Sequence, residues 1–208
     1  MNNNRVVAYV DGFNLYFGLR ESNLQRYYWL NIRSLAERLL KFNQELVYTK
    51  YFTARINGDP EKEKRQATYI EALETLRGNN DFEIYTGHYQ RDPYECSRCK
   101  ATYLIPHEKM TDVNIATQML LDAFNNRFDK ALLISADADL VPPVRAIREQ
   151  YPEKGITVAF PPNRYSGDLK RAANGFVYIN RSDISQSQFP PKVEKDDGFT
   201  LERPSTWV

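Results

Sequence analysis

The sequence predicts an α/β fold, a doubly wound and mainly parallel sheet with helices on both faces. Two observations carry this prediction. Short apolar runs alternate with amphipathic segments from end to end, and two of those runs stop at acidic residues. Right-handed crossovers leave few ways to arrange such a chain. With 208 residues and 42% hydrophobic content, the chain can form one domain of ordinary to large size.

The strands are predicted from short runs that read as buried or half-buried β-structure. They cover residues 5–10, 46–54, 82–89, 131–134, 155–160 and 175–179. The helices are predicted from apolar residues that recur every three or four positions and from Pro or Gly at their ends. They cover a short segment beginning at 15, then 32–42, 60–77, 113–124, 144–149 and 168–173. The apolar positions of the helix over 113–124 are Val113, Ala116, Leu120, Ala123 and Phe124.

Two segments depart from this alternation. Residues 90–107 carry prolines and both cysteines without a helical period, which predicts a small irregular, hairpin-like insertion. Residues 182–208 are polar and rich in proline, and they predict a tail with a small hairpin that turns at Asp197 and Gly198. The predicted organisation is one domain over 1–181, with its insertion, followed by the tail.

Composition excludes several classes of function. The net charge is +1, from 28 basic and 27 acidic residues, so no global field indicates a nucleic-acid partner, although a local basic patch is compatible with it. No secretory signal and no apolar run of about 20 residues is found, which argues against a membrane protein. Two cysteines spaced C-x-x-C do not make a disulfide framework, and a cytoplasmic location is therefore expected.

Acidic residues stand at the ends of three predicted elements. Asp11 ends the first strand, Asp112 stands at the front of a helix, and Asp137 and Asp139 follow the central strand. If the first and central strands are neighbours, their carboxyl ends converge at the switch point of the sheet. Four carboxylates in one crevice repel one another unless a cation lies among them. Hard divalent ions such as Mg²⁺ or Mn²⁺ prefer such oxygen ligands.

An ion of this kind, placed beside a phosphodiester, activates water and stabilises the charge that develops on phosphorus. The chain contains no GxxxxGK[ST] phosphate loop and no GxGxxG after the first strand, which argues against nucleotide triphosphate hydrolysis and a dinucleotide cofactor. Each acid also has a plain structural interpretation, as a helix cap or turn residue. The three acidic segments together favour a nuclease over that interpretation.

Three segments resemble the signature of a known family. Residues 10–14 (VDGFN), 108–113 (EKMTDV) and 135–140 (SADADL) look like the three signature segments of the NYN-domain family, the LabA-like branch of the PIN-like nucleases. The likeness spans roughly residues 5 to 180, and the three motifs together are quite specific. Members of that family are typically metal-dependent ribonucleases with a PIN-like sheet.

The resemblance implies metal-binding or catalytic roles for the four acids, with Asn14 and Ser135 as supporting residues. The chain departs from the commoner family pattern S-G-D-S-D-F, because Ala136 and Ala138 stand where Gly and Ser are usual. The acids are retained, so metal binding is not directly affected. A hydroxyl that orients a ligand or a water is lost, which leaves the rate and the choice of substrate open.

Basic residues near the predicted edge are candidates for contact with a nucleic-acid backbone. Arg164 and Lys170 are preferred, because their segment follows a strand and should lie on the same edge as the acids. Lys109 also stands close to that edge and could neutralise a phosphate. Arg or Lys beside Tyr suits phosphate contact with base stacking, although such clusters are more often solvated faces.

A second metal site is a weaker hypothesis. Cys96 and Cys99 are flanked at equal distances by His88 and His107, the two histidines of the chain. A Cys₂His₂ zinc site would pin the insertion. The alternative is a pair of reduced thiols in a surface loop, because the spacing matches no common zinc finger and a lone C-x-x-C is a weak signal.

The predicted function is a Mg²⁺- or Mn²⁺-dependent endoribonuclease with RNA as its partner. Asp11 and Asp137 are expected to hold the metal directly, while Asp112 and Asp139 act through water. The alternative is a non-catalytic RNA- or protein-binding regulatory module on the same scaffold, favoured by the near-neutral charge and the altered SADADL segment. A phosphatase or DNA nuclease would use the same acids. The oligomeric state is open, and a homodimer is among the alternatives.

Overall fold

A computed structural model describes residues 4–79 and 81–207, without the side chains of residues 79, 88–92 and 104–109. The strands are β1 (Asn4–Asp11), β2 (Gln44–Ala54), β3 (Phe82–Glu95), β4 (Thr102–Lys109), β5 (Lys130–Ile134), β6 (Gly155–Phe160), β7 (Gly175–Tyr178), β8 (Lys192–Glu194) and β9 (Thr200–Glu202). The helices are α1 (Gly12–Glu21), α2 (Ile32–Arg38), α3 (Pro60–Glu74), α4 (Thr111–Phe124), α5 (Val141–Gln150), α6 (Gly167–Ala172) and α7 (Arg181–Ser185). None of these helices is long and apolar enough to cross a membrane.

The centre of the molecule is a seven-stranded sheet in the order β4-β3-β2-β1-β5-β6-β7. The neighbouring strands run parallel throughout, except for β4, which pairs antiparallel with β3 at one edge. The predicted class, a doubly wound and mainly parallel sheet, is confirmed.

The two faces of the sheet carry separate hydrophobic cores. Along β1, Val6, Ala8 and Val10 point into the core formed with α1, α2 and α3. Val7 and Tyr9 point to the opposite face, where α4, α5 and α6 pack. Because successive side chains of a strand alternate between faces, a continuous apolar run is what a strand covered on both sides requires.

Local chemistry explains where two of the helices begin. The Asp59 carboxylate accepts a hydrogen bond from a backbone N–H in the first turn of α3, at 3.2 Å, and Pro60 occupies that turn, where its missing N–H costs little. Gly12 begins α1 because a Cβ there would lie 2.6 Å from the Tyr51 hydroxyl and 2.7 Å from the Phe52 carbonyl oxygen. Only glycine lets α1 start this close to β2.

The hairpin-like insertion predicted from the sequence is a hairpin, but it is a regular and not an irregular one. β2 pairs with β3 only as far as Gly87, but β3 continues to Glu95. It pairs with β4 in unbroken register from His88 opposite Lys109 to Glu95 opposite Thr102. The prolines and the missing helical period of residues 90–107 did not indicate that the segment forms a long two-stranded ribbon.

The buried side of α4 also differs from the expectation. Ile115, Met119 and Ala123 are buried, whereas Val113 and Phe124 are 65% and 74% exposed. Apolar residues cover much of the circumference of this helix, so periodicity alone did not select the side that packs on the sheet. The packed side also carries an acid, which is described below.

The segment after residue 181 packs on the domain. Ile184, Phe189 and Leu201 are buried in the core on the side of α1, α2 and α3. The predicted hairpin forms between β8 and β9, and Gly198 in its turn has a φ of +82°, a conformation that glycine adopts readily.

Candidate active site

β1 and β5 lie side by side at the point where the strand order reverses. Val10 pairs with Ile134, so both strands end at the same edge of the sheet. The chain leaves β1 toward β2 and leaves β5 toward β6, on opposite sides. Such a switch point opens a crevice at the carboxyl ends of the strands. Asp11 and Ser135 stand at the mouth of this crevice.

Asp11 is the last residue of β1 and the N-cap of α1. Its Oδ1 accepts a hydrogen bond from the backbone N–H of Asn14 at 2.9 Å, and its Oδ2 accepts one from the hydroxyl of Ser135 at 2.8 Å. Asp11 is only 3% exposed. Burial raises the pKa of its carboxyl, and the hydrogen bonds from Asn14 and Ser135 oppose that rise. The carboxylate is therefore both buried and fixed in orientation.

Ser135 and Asn14 join the two strand ends. The Ser135 hydroxyl, which donates to Asp11, also accepts a hydrogen bond from the backbone N–H of Asp137 at 3.0 Å. The side-chain oxygen of Asn14 accepts one from the backbone N–H of Ala136 at 3.1 Å. These bonds bring Asp11 and Asp137 to one place although they are distant in sequence.

Asp137 directly precedes a short 3₁₀ turn after β5 (Ala138–Leu140), and Asp139 lies within that turn. The Asp137 Oδ1 accepts a hydrogen bond from the backbone N–H of Asp139 at 2.9 Å, so Asp137 caps this turn. Asp137 is half-buried, and Asp139 is exposed. The plain interpretation of Asp11 and Asp137 as caps is thus correct, and it is compatible with a further role, because a carboxylate has about four lone-pair sites and capping uses one of them.

Asp112 reaches the same crevice from α4. It stands in the first turn of the helix, after Met110, whose φ of +82° is left-handed and uncommon for a residue other than glycine. Burial raises the pKa of Asp112 to about 6, and the charges of Asp137, Asp11 and Asp139 add to this rise. Asp112 therefore lies within electrostatic range of the other three predicted acids.

No cation neutralises this group among the side chains that the structure describes. The ion pairs found there involve none of the four acids. Within that same part of the chain, no three potential ligands stand close enough to form a ready-made metal cage. A Mg²⁺-like ion keeps several waters and takes one or two carboxylates directly, so it does not require such a cage. The hydroxyl of the neighbouring Thr111 is buried and has no hydrogen-bond partner among the side chains that the structure describes.

The predicted basic residues lie in different surroundings. Arg164 forms an ion pair with Glu21 and lies 5.8 Å from the centre of the Phe17 ring, against α1. Lys170 lies 3.9 Å from the centre of the Phe176 ring, beside β7. The side chain of Lys109 lies outside the described part of the structure. Their contact with a substrate stays a prediction.

The two cysteines occupy the turn between β3 and β4. Both are free thiols, and Cys99 is exposed. Backbone hydrogen bonds from Cys99 and Arg98 lower the pKa of the Cys96 thiol. The side chains of His88 and His107 lie outside the described residues, but their backbone is in the ladder. At about 3.3 Å per residue, the extended β3 separates His88 from Cys96 by roughly 25 Å, which argues against a shared zinc ion.

A buried ion pair beneath α4 was not predicted from the sequence. The Lys50 Nζ in β2 lies 2.6 Å from the Asp122 Oδ2 in α4, and both side chains are only 3% exposed. The hydroxyl of Tyr9 donates to the same oxygen at 2.7 Å. This buried ion pair anchors α4, and with it Asp112, to β1 and β2. A lysine within a strand-like run was the signal that could have revealed it, since a buried charge requires a partner.

Fold and site together define an α/β protein with carboxylates gathered at the switch point of a parallel sheet. A family model for the NYN domain matches residues 5–183. The chain therefore belongs to the NYN-domain family, which confirms the resemblance inferred from the three motifs. That family is nuclease-related and RNA-related.

Two known proteins are similar over most of the chain. The 6-hydroxy-3-succinoylpyridine 3-monooxygenase of Pseudomonas putida is 26% identical over 230 residues, covering 89% of this chain and 70% of that protein. A crystal structure of a protein of unknown function from Vibrio parahaemolyticus superposes with a TM-score of 0.54 at 25% identity, covering 86% of this chain and 95% of that one. The first identity is too low to carry the activity of that enzyme over to this chain.

Proposed function

We propose that the protein is a Mg²⁺- or Mn²⁺-dependent endoribonuclease that hydrolyses RNA phosphodiester bonds. The observation that carries the proposal is that Ser135 joins Asp11 to the backbone of Asp137, while Asp112 is near enough for the charges of Asp137, Asp11 and Asp139 to raise its pKa. Holding like charges together costs free energy, and a bound dication removes that cost. The nuclease-related character of the family supports the same reading.

In this proposal the four acids have two different roles. Asp11 and Asp137 would hold the ion directly, and Asp112 and Asp139 would bind its waters or orient the attacking one. A bound Mg²⁺ or Mn²⁺ supplies a Lewis acid and a water of lowered pKa at this place. Every other task falls to the protein, which must keep the carboxylates in place before the substrate arrives.

Ser135 and Asn14 perform that task in this proposal. Ser135 fixes one oxygen of Asp11 and the backbone of Asp137, and Asn14 fixes the backbone between them. Prearranged acceptors need no reorganisation when charge develops on the reacting phosphate. Arg164 would contact the RNA backbone from the rim. Its pair with Glu21 is partly exposed, so exchanging that partner for a phosphate costs little.

The decisive test is RNA cleavage by wild type and Asp137→Asn with Mn²⁺ and with a chelator. Asparagine keeps the shape and the acceptor oxygen that caps Asp139, so the change removes the charge alone. We expect cleavage to stop with chelator and to fall by about 100-fold or more in the variant, because a metal contributes several kcal/mol at a phosphoryl centre. Asp168→Asn, an exposed acid of α6, is the matched control and should cleave like wild type.

Cleavage that needs no metal, or an unimpaired Asp137→Asn, contradicts the proposal. RNA binding without turnover at any Mn²⁺ concentration supports the non-catalytic module instead. The same assay with single-stranded DNA and with a small phosphomonoester separates a ribonuclease from a DNA nuclease and a phosphatase.

A further inference from the structure

A cavity of about 200 Å³ lies beside the acidic crevice, enclosed by α1, β2 and α3. Gly12 and Phe13, which directly follow Asp11, are among its lining residues. Consecutive Cα atoms are about 3.8 Å apart, so the cavity begins within one or two residues of a candidate metal ligand. Nothing in the proposed reaction uses this cavity.

The walls of the cavity are largely aromatic. Tyr16, Tyr28, Tyr69 and Trp207 line it together with aliphatic side chains. The Tyr16 and Tyr28 rings are 5.0 Å apart, and Trp207 lies 5.5 Å from Tyr28 and 6.1 Å from Tyr69. Tyr16 is 41% exposed, so part of this lining ring is accessible to solvent. Such a surface suits stacking with a flat ring.

The framework around the cavity is held by hydrogen bonds. Gln66 donates to the Ala54 carbonyl oxygen and accepts from the Ile56 backbone N–H, each at 2.9 Å, which fixes the loop after β2. The hydroxyl of Tyr69 donates to the Leu30 carbonyl oxygen at 2.7 Å. The cavity is thus formed before a ligand arrives, and little ordering cost is left for binding.

The charge of the lining residues and the volume of the cavity indicate which class of ligand it can bind. Lys62 and Arg65 line the cavity, and no acidic residue does among those that the structure describes. Their ion pairs, to Asp59 at 3.0 Å and to Glu61 at 3.9 Å, involve exposed partners that an anion can displace. A cavity of roughly 150 Å³ accepts a benzene ring, so this one has room for a single heterocyclic base.

We propose that this cavity is a nucleobase-binding subsite that holds one nucleotide of the RNA beside the scissile bond. The base stacks on the aromatic walls, its phosphate meets Lys62 and Arg65, and the chain continues past Gly12 to the acids. The assignment of RNA as the source of the base rests on the proposed function.

Binding is tested apart from cleavage, by calorimetric titration in the presence of EDTA. The probes are adenosine and uridine 5′-monophosphate, with ribose 5-phosphate as the ligand without a base and nicotinate as an aromatic carboxylate that is not a nucleotide. We expect the two nucleotides to bind at least about tenfold more tightly than ribose 5-phosphate, as the loss of one base–aromatic stack implies. Tighter binding of nicotinate than of either nucleotide overturns the proposal.

Variants then locate the site. Tyr16→Ala should weaken nucleotide binding about tenfold, whereas Tyr16→Phe keeps the ring and should bind like wild type. Arg65→Gln should weaken the nucleotides and ribose 5-phosphate by a similar factor, since it removes a phosphate contact. Tyr178→Ala, an exposed tyrosine of β7, and Arg77→Gln, which also pairs with a glutamate at 3.9 Å, are matched controls. Thermal melting of each variant verifies that it is folded.

The outcomes separate this proposal from the nuclease proposal. RNA cleavage that depends on Mn²⁺ and Asp137, with nucleotide binding unaffected by Tyr16→Ala and Arg65→Gln, removes the subsite and leaves the nuclease. Nucleotide binding that responds to both variants, with no cleavage under any condition, retains the subsite and removes the nuclease.

Discussion

Two sets of carboxylates lie against the central sheet, Asp122 beneath α4 and the four acids of the crevice, and their surroundings differ. Asp122 has a lysine at 2.6 Å and a tyrosine hydroxyl at 2.7 Å, all beneath α4. Asp11 and the acids around it receive hydrogen bonds from neutral groups, and no described side chain forms an ion pair with them. α4 carries one member of each set, with Asp122 near its end and Asp112 at its start.

The difference indicates which acids are structural. A carboxylate can remain charged inside a protein when a cation and hydrogen bonds replace its lost hydration. Asp122 meets that condition within the chain, so it needs no external ligand. The acids of the crevice do not meet it in the described part of the chain, and the raised pKa of Asp112 is the consequence. Burial and residue type alone would not have separated the two sets.

The largest change in stability is expected when the buried ion pair between Lys50 and Asp122 is broken. Lys50→Met leaves Asp122 buried without its cation and removes the hydrogen bond from Lys50 to Gln118. We expect the free energy of unfolding, measured with urea at pH 7, to fall by about 3–5 kcal/mol. The double variant Lys50→Met/Asp122→Leu should recover most of this loss, because an apolar pair can replace a buried ion pair. A loss below about 1 kcal/mol in the single variant would mean that water reaches Asp122.

A smaller change in the free energy of unfolding, of opposite sign, is expected when an acid of the crevice is neutralised. Because the pKa of Asp112 is raised to about 6 from 3.8, the folded state binds this proton more tightly than the unfolded state does. Its charge therefore costs stability above about pH 6, and the cost fades as the pH falls toward 4. In EDTA at pH 7, Asp112→Asn should raise the free energy of unfolding by about 1 kcal/mol, a figure reduced because the group is only half-buried.

The comparison variant for Asp112→Asn is Asp168→Asn, which lies in the first turn of α6. Both changes remove a favourable charge from a helix N-terminus, but only Asp112 faces other acids. Asp168→Asn should leave the stability unchanged or slightly lower. If Asp112→Asn is destabilising at pH 7 as well, the helix dipole outweighs the repulsion in the crevice.

The smallest change in stability is expected at Arg127, a second cation near Asp122. Arg127 also approaches this acid, with its Nε 3.7 Å from Oδ1, but its side chain is 60% exposed. Solvent screens such a contact, so Arg127→Gln should change the free energy of unfolding by less than about 0.5 kcal/mol in the same urea experiment. A cost comparable with that of Lys50→Met would show that the counter-charge of Asp122 is shared.

Much of the candidate site was predictable because it depends on simple rules of parallel sheets. Asp11 and Asp137 each follow an apolar strand, and parallel neighbours end at one edge. Lys50 was missed, although a lysine within a strand-like run could have indicated a buried charge, and nothing in the sequence identified its partner. Finding Asp122 required the rotation of α4 about its axis, and the apolar residues on several sides of that helix left the rotation undetermined.

The sequence by itself determined the alternation of the parallel strands and their helices, the positions of the acids at strand ends and the family motifs, because each of these depends on neighbouring residues. Only the tertiary structure decided which side of α4 is buried, how far the β3–β4 ribbon separates His88 from Cys96, and that Trp207 closes an aromatic cavity beside Gly12. These features join segments that are remote in the chain. Hydrophobic periodicity indicates whether a residue is buried, but the order of the strands and the packing of the helices decide which residues bury it.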